Sequence, residues 1–337
     1  MTRVPSAAVV VTGAAGFIGA RTVQALNARG VPVVSVDGPD KFDTRPEHAG
    51  IDFGISVPVD GIDAWLAANG PRVHAIVHMG ACTDTRETDR VYLDRVNVSS
   101  SQQLWRRATA LGVPLIYASS AATYGDGAFG YDDDEATIGR LKPLNAYGDS
   151  KQQFDLWALG EERSGRGPRA WAGLKFFNVY GFGERHKGSM SSVVIQAFDQ
   201  IRAIGRVRLF RSHRPDVADG HQARDFVFVD DVVDVIVEMV ERPPVRGIFN
   251  LGSGQARTFL DLARAVFAAT DQPEQIDFID TPADLRATYQ YFTEAPMAKL
   301  RAEGFALHPT PLEEGVRRYV AALQAVTGPT GAPTVRV

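Results

Sequence analysis

A chain of 337 residues is long for one simple core and points to a large domain with a smaller lobe. Its composition, 45% hydrophobic and 23% charged, is that of an ordinary globular enzyme, and a formal net charge of -4 gives no electrostatic reason to expect nucleic acid or an anionic membrane as partner. A single cysteine, Cys82, excludes an internal disulfide and fits a reducing compartment.

The first half alternates apolar runs with helical patterns, the order of a doubly wound parallel sheet. Ala7–Thr12, Val31–Val36, His74–His78, Val113–Ser119 and Ala170–Phe176 predict buried strands. Val9-Val10-Val11 and Ala75-Ile76-Val77 are continuously apolar, as strands covered on both faces should be. Helices are expected at Phe17–Arg29, Ile62–Ala68, Tyr92–Leu111 and Tyr147–Arg163, with a surface turn from Ser164 to Pro168. The apolar opening, Ala7 to Ala20, reads as strand and turn rather than a signal sequence, because its glycines fall at nucleotide-binding spacing. No apolar run approaches the roughly 20 residues that span a bilayer, so a cytoplasmic protein is expected.

The second half is less regular. Gly181 to Ala223 mixes loops with a helix at Ser191–Gly205 and is rich in basic and polar residues. Asp225–Val229 and Gly247–Leu251 predict strands returning to the sheet, with helices at Val232–Glu241 and Leu260–Ala269. The expected organisation is a dinucleotide-binding domain of residues 1–179 and 223–251, a substrate lobe of residues 180–222 and 252–326, and a disordered tail, 327–337. The expected fold class is α/β, a Rossmann-type doubly wound parallel sheet with a smaller α/β lobe.

Gly13-x-x-Gly16-x-x-Gly19 follows the first strand and opens a helix. Gly13 permits the tight turn, Gly16 lets the backbone approach a pyrophosphate, and Gly19 allows close packing of helix on sheet. The anion would sit on the helix N-terminus, at Phe17 and Ile18, where free N–H groups and the dipole favour it. Asp37 follows the second strand at the position that accepts hydrogen bonds from an adenosine ribose. Its carboxylate suggests NAD, whereas Lys41, four residues on, is placed to neutralise a 2′-phosphate; spacing alone leaves that choice open.

Tyr147 and Lys151 lie four positions apart, on one face of a helix. A phenol titrates near pH 10, and a neighbouring ammonium favours the phenolate, so the pair reads as a proton-transfer device beside a nicotinamide. Ser120 leaves the end of a central strand, placed to hold a reacting hydroxyl for Tyr147. Further on, His186, Lys187, Arg211, His213 and Arg224 suit an anionic, phosphate-bearing substrate, the bland alternative being a solvated charged face. No metal site is read.

These residues resemble the extended short-chain dehydrogenase/reductase family, the nucleotide-sugar epimerases and dehydratases, and within it the heptose 6-epimerase branch. The matching stretches are Gly80-Ala81-Cys82, Tyr117 to Gly125, Pro143 to Tyr147, Phe177 to Gly181, His186 to Met190, Arg224 to Val229, Gly247 to Gly254, Tyr289-Gln290 and Phe292-Thr293. The glycine motif and Tyr-x-x-x-Lys mark the superfamily, whereas His-Lys-Gly-Ser-Met and Tyr-Gln-x-Phe-Thr look specific to the branch. The resemblance implies epimerisation at C6 of an ADP-linked heptose by transient oxidation and re-reduction, with a tightly held cofactor. It implies Tyr147 and Lys187 as the two proton-exchanging groups, Lys151 tuning Tyr147, and Ser120 binding the oxygen. It places Met79, Gly80, Ala81, Asn97 and Val179, with Gly38, at the cofactor. Asn178, Ser189, Gln196, Phe210, Arg211, His213, Arg224 and Tyr289 fall at the substrate. It implies NADP, with NAD as the alternative, and a homo-oligomer, a pentamer among the candidates.

Some residues depart from the family pattern. Gly38 stands where an Asn is usual, the loop to Lys41 looks shorter, and a second basic residue is missing from Val57 to Asp63, which weakens the NADP preference. Gln196 replaces a usual His, and Arg211 to Gly220 is longer and more basic, which puts the nucleotide base in doubt. A 4,6-dehydratase would carry Asp-Glu where Ala121 and Ala122 stand, so elimination of water is disfavoured. A UDP-sugar 4-epimerase, the same chemistry on a GDP-linked heptose, and a non-catalytic cofactor-binding protein are the competing readings.

Overall fold

The computed structural model describes residues 7–243, 246–286, 289–305 and 307–327. Its first half runs β1 (Ala8–Thr12), α1 (Phe17–Ala28), β2 (Val33–Val36), β3 (Ile55–Val57), α2 (Ile62–Asn69), β4 (Val73–His78), α3 (Arg90–Leu93), α4 (Ser100–Leu111), β5 (Leu115–Ser120), α5 (Ala146–Arg163) and β6 (Trp171–Phe176). Then come β7 (Asn178–Tyr180), α6 (Val193–Ile204), β8 (Val207–Phe210), β9 (Ala223–Phe228), α7 (Val229–Glu241), β10 (Gly247–Leu251) and β11 (Ala256–Thr258). Last are α8 (Phe259–Ala269), β12 (Ile276–Ile279), α9 (Ala283–Arg286), α10 (Ala298–Ala302) and α11 (Leu312–Thr327).

Seven strands form one sheet in the order β10-β6-β5-β4-β1-β2-β3, every neighbouring pair parallel. β-branched runs such as Val9-Val10-Val11 fill both of its faces and are fully buried. This is the Rossmann arrangement. Winding reverses between β1 and β4, so the crevice at their carboxyl ends is where such sheets bind ligands.

The strand expected at Asp225–Val229 forms as β9, but it does not return to this sheet. It pairs in parallel with β7 and antiparallel with β11, and only β10 of that stretch rejoins the main sheet. Phe177 is where the chain departs: its N–H bonds the Leu251 carbonyl oxygen at 3.1 Å, after which β7 pairs with β9 instead. A second apolar core follows, with Phe198, Leu209, Phe226, Phe228, Val266 and Tyr319. The stretch 252–326 contributes to both cores, because Ala295, Met297, Leu300, Phe305 and Leu307 pack in the first. Most of the expected tail, 328–337, lies outside the described residues. Among the described residues no helix is long and apolar enough to cross a membrane.

The helix expected at Tyr92–Leu111 starts earlier, where the Asp89 carboxylate caps α3 by accepting the Tyr92 N–H at 3.0 Å. It then passes through a π-helical segment, Asp94–Ser99, before α4. Such widened turns accommodate one extra residue and are frequent at functional sites. Here the segment carries Asn97.

A buried hydrogen-bond chain runs beside it. Ser101 donates its proton to the Asn97 carbonyl oxygen at 2.6 Å, so its Oγ accepts from His78 Nε2 at 2.8 Å. His78 Nδ1 is then the acceptor for the Thr12 hydroxyl at 2.6 Å, while Thr12 Oγ1 accepts the Gly80 N–H at 3.2 Å. The imidazole is therefore neutral, and burial, with the Lys151 charge adding to it, holds its pKa down at about 3. An unfolded chain protonates this histidine near pH 6.5 while the folded one resists to about 3, so folding loses stability as pH falls through that interval. We expect His78→Gln to be less stable than the parent at pH 7.5, with the gap narrowing at pH 4.5. Urea unfolding at the two pH values measures it, and a constant gap would refute the neutral assignment.

Candidate active site

Three chain reversals, after β1, β2 and β4, build the first half of the crevice. Gly13 has φ +64°, and a Cβ there would stand 2.7 Å from the Gly80 Cα and N. The Gly16 N–H bonds the Gly13 carbonyl oxygen at 2.9 Å and starts α1, whose first N–H groups point at the turn. A Cβ on Gly19 would overlap that same oxygen, so helix and turn meet backbone to backbone. Phe17 is buried, and Ile18 half-buried, just inside the helix.

Asp37 is buried at the end of β2 and shapes the same turn. Its Oδ2 accepts the Ala15 N–H at 3.1 Å, and its Oδ1 accepts the Gly38 N–H at 2.8 Å and the Lys41 ammonium at 2.9 Å. Arg45, not singled out from the sequence, donates to the Ala15 carbonyl oxygen. No motif marks that arginine in its irregular loop. After β4, Met79 and Gly80 donate their N–H groups to the Thr12 carbonyl and hydroxyl oxygens at 3.1 and 3.2 Å, and Ala81 follows half-buried. Asn97 clamps the next residue: its Oδ1 accepts the Cys82 N–H at 2.8 Å, and its Nδ2 donates to the Cys82 carbonyl oxygen and Ser150 Oγ, each at 3.0 Å. Asn97 thus acts on the crevice through the turn that it holds. A glycine cradle that side chains would fill, a helix N-terminus and a buried carboxylate fit a dinucleotide.

The second half hangs from β5 and α5. Asn145 Oδ1 accepts the Gly148 N–H at 2.8 Å and caps α5 immediately before Tyr147. Ser120 Oγ accepts the Ala122 N–H at 3.1 Å, and the same hydroxyl favours the Tyr147 phenolate. Burial pushes the Tyr147 pKa up, and the group that pulls it down is Ser120. The Lys151 ammonium donates to the Ala118 carbonyl oxygen at 2.9 Å and lies 6.0 Å from the Tyr147 ring centre. Burial brings Lys151 itself down to about 8, with Asp155 acting against that shift.

Lys187 belongs to a short turn, Arg185–Met190, and its ammonium stands 5.3 Å from the ring centre of Phe17, beside the glycine turn. Beneath it, Glu184 is fully buried, accepting from Ser192 N–H at 2.7 Å and Ser192 Oγ at 2.6 Å, with Lys187 Nζ 3.8 Å away. Burial pushes the Glu184 pKa up, and Lys187 is foremost among the groups that oppose it. Glu184 also escaped the sequence reading, although it precedes Lys187 by one helical turn. Gln196 donates to the Ser191 and Ser189 carbonyl oxygens at 2.8 and 3.4 Å, so its amide protons shape this loop rather than face a ligand. Ser189 and Asn178 are exposed, and Val179 is half-buried on β7.

Arg224, Phe210 and Tyr289 do come together. The Tyr289 ring centre lies 6.3 Å from that of Phe210, and the buried Arg224 guanidinium lies 5.4 Å from Tyr289 and 5.6 Å from Phe259. Arg224 donates to the Ala223 carbonyl oxygen at 2.9 Å and to the Gln290 carbonyl oxygen, and burial lowers its pKa. Arg211 and His213 are exposed and tied elsewhere. Arg211 donates to the Phe278 carbonyl oxygen at 3.2 Å with Asp219 and Asp280 each 3.9 Å away, and His213 Nε2 accepts the Thr281 N–H at 3.3 Å. His213 alone of the two is joined to the aromatic cluster, through Tyr291, whose hydroxyl accepts the His213 main-chain N–H at 2.9 Å.

The contact between Gly19 and the Gly13 carbonyl gives a direct test. Gly19→Ala should cost about 1–3 kcal/mol by overpacking against rigid backbone, outweighing the better helix propensity of Ala. Thermal unfolding measures this, and a variant as stable as the parent would show that helix and turn separate freely.

The sequence profile of the NAD dependent epimerase/dehydratase family matches residues 9–252. A protein of Nitratidesulfovibrio vulgaris (strain DP4) named ADP-L-glycero-D-manno-heptose-6-epimerase is 47% identical over 326 residues, covering 95% of this chain and 99% of its own. A protein of the same name from Fusobacterium nucleatum is 41% identical over 323 residues, covering 93% and 96%. Among solved structures, Helicobacter pylori ADP-L-glycero-D-manno-heptose-6-epimerase superposes with a TM-score of 0.78 at 24% identity over 96% of this chain and 98% of its own. Thermus thermophilus UDP-glucose 4-epimerase in complex with NAD does so with a TM-score of 0.75 at 24% identity, over 96% and 100%. At those identities the two structures establish the fold. With a profile match across most of the sequence and relatives alike along nearly all of it, the chain belongs to the NAD dependent epimerase/dehydratase family.

Proposed function

We propose that this chain epimerises C6 of the heptose in ADP-D-glycero-D-manno-heptose, giving ADP-L-glycero-D-manno-heptose. The observation that carries this reading is the 47% identity, along 326 residues, with a relative named for the L-glycero product. The Gly13–Gly19 turn, Asp37 and the 79–81 turn are the residues that would hold a nicotinamide cofactor, which supplies reversible hydride acceptance. The chain's own residues handle the protons. The Ser120 hydroxyl favours the Tyr147 phenolate, so an alcohol oxygen entering between the two would meet both a donor and an acceptor. An epimerisation leaves and re-enters the carbon from opposite faces, so it calls for a second proton-carrying group. Lys187, on a separate turn and backed by buried Glu184, has the chemistry for that role. Arg224 between aromatic rings suits the diphosphate, with Phe210 and Tyr289 beside it.

We read the cofactor as NAD in place of NADP. Asp37 stands at the ribose position, and Lys41 is engaged with its carboxylate, which leaves the ammonium poorly placed to meet a 2′-phosphate. The family's NAD dependence supports the same reading. A homo-oligomer is part of the proposal, and sedimentation of the purified chain tests it.

Incubation of the pure protein with ADP-D-glycero-D-manno-heptose, without added cofactor, should yield the L-glycero epimer by proton NMR. No product there but turnover of the GDP-linked heptose would move the proposal to that nucleotide, and silence with both would favour a UDP-sugar 4-epimerase. Tyr147→Phe should lower kcat about 10²–10⁴-fold with the fold intact, and an unchanged rate would remove Tyr147 from the mechanism. Lys187→Met should lose turnover, whereas a rise in KM alone would make Lys187 a binding group. The nucleotide released on denaturation should be NAD by chromatography; NADP would refute the assignment.

A further inference from the structure

Between the sheet and α5 lies a buried ion pair that the mechanism above does not use. Lys175 on β6 and Asp155 on α5 are each 0% exposed, and Lys175 Nζ donates to Asp155 Oδ2 at 2.9 Å. The carboxylate is fully satisfied, since Tyr117 donates to Oδ1 at 3.0 Å and Ser119 to Oδ2 at 2.7 Å, both from β5. A second bond of the ammonium goes to Thr123 Oγ1 at 2.6 Å, and the Tyr124 ring centre lies 5.1 Å away. Thr123, also 0% exposed, donates its own proton to the Ser120 carbonyl oxygen at 2.8 Å.

These bonds form a bridge between two pieces of the site. Asp155 follows Lys151 by four residues and Tyr147 by eight, so all three share one face of α5. Thr123 sits in the turn that begins at Ser120. Lys175 thus bonds at one end to the helix that carries the phenol, and at the other to the turn that carries the hydroxyl. Burying an ammonium and a carboxylate in a sheet is costly, and well-packed apolar residues of similar volume commonly give equal or better stability. What apolar residues lack is direction. A lysine with two fixed acceptors sets the separation of α5 and the 121–124 turn to hydrogen-bond precision.

We propose that Lys175 is a positioning residue for the reaction, holding Ser120 in register with Tyr147 through Thr123 on one side and Asp155 on the other. The inference rests on the reading of Tyr147 and Ser120 as reacting groups. Thr123→Val is the sharpest test, since it keeps the volume and removes the one oxygen that joins Lys175 to the Ser120 carbonyl. In the full-length protein, kcat should fall about tenfold to a hundredfold with KM within about twofold, and Thr123→Ser should restore it. A readout independent of turnover is the ¹³Cζ resonance of Tyr147, identified by its loss in Tyr147→Phe. It should move in Thr123→Val in the same direction as in Ser120→Ala. If Thr123→Val does not fold, the neutral pair Asp155→Asn with Lys175→Met is read in the same two ways. A folded variant with wild-type kcat and an unmoved resonance overturns the proposal. A parent that fails to turn over the ADP-heptose counts against the substrate assigned above, and the resonance then decides this inference alone.

Discussion

Two turns of backbone touch in this molecule, and the crevice depends on that contact. Gly13 after β1 and Gly80 after β4 come so close that no side chain fits between them. Because β1 and β4 are neighbours in the sheet, the contact fixes where their ends diverge. Thr12 stiffens it from below, accepting from the Gly80 N–H while its hydroxyl is held by His78. The imidazole passes that constraint to Ser101, and Ser101 to the main chain of Asn97. Asn97 in turn holds Cys82 and Ser150, and Ser150 donates to the Tyr147 carbonyl oxygen at 2.7 Å. One unbroken set of hydrogen bonds thus runs from the glycine turn to the start of the helix that bears the phenol.

Three carboxylate–lysine pairs recur around the crevice at different depths. The lysine is 49% exposed in Lys41–Asp37, 24% in Lys187–Glu184 and 0% in Lys175–Asp155. In each the carboxylate is the more buried partner or equally buried, so the lysine is the member with freedom to respond. Water screens the outermost pair most strongly, and it is weak as a stability element. The middle lysine keeps access to the crevice while its partner is locked by Ser192. The innermost has no access and can act through geometry only. Solvent exposure therefore sets one chemical motif at three depths.

Much of this was legible in the chain. The five strands read from apolar runs formed, because parallel strands buried on both faces need no alternation. β3, β7, β8, β11 and β12 did not stand out, being three or four residues long, most of them only partly buried. The sheet that β9 joins was not legible either, since apolar residues suit both sheets equally and the choice is made by the bend at Phe177. The π-helical segment left no trace, because one accommodated residue does not disturb composition. For the proposed site, spacing pointed to Gly13, Asp37, Tyr147 and Lys151, and position at a strand end pointed to Ser120. Spacing did not reveal that Lys151 bonds a main-chain carbonyl, or that Gln196 serves its own loop. A lysine inside the strand Trp171–Phe176, and an aspartate one turn beyond Lys151, were signals in plain view. They become meaningful only once β6 and α5 are known to be packed together.

The distribution of the two cores along the chain bears on how the molecule is made. The core of the main sheet needs Ala295, Met297, Leu300, Phe305 and Leu307, and the other needs Leu312, Val316, Tyr319, Val320 and Leu323. Both are closed by residues that follow β10 in the chain. A nascent chain that has already emerged as far as β10 holds all seven strands of its main sheet, yet leaves apolar surface uncovered on both halves. Domain-by-domain folding during translation, the usual protection of long chains against aggregation, is therefore withheld from this architecture until residues 295–323 have emerged as well.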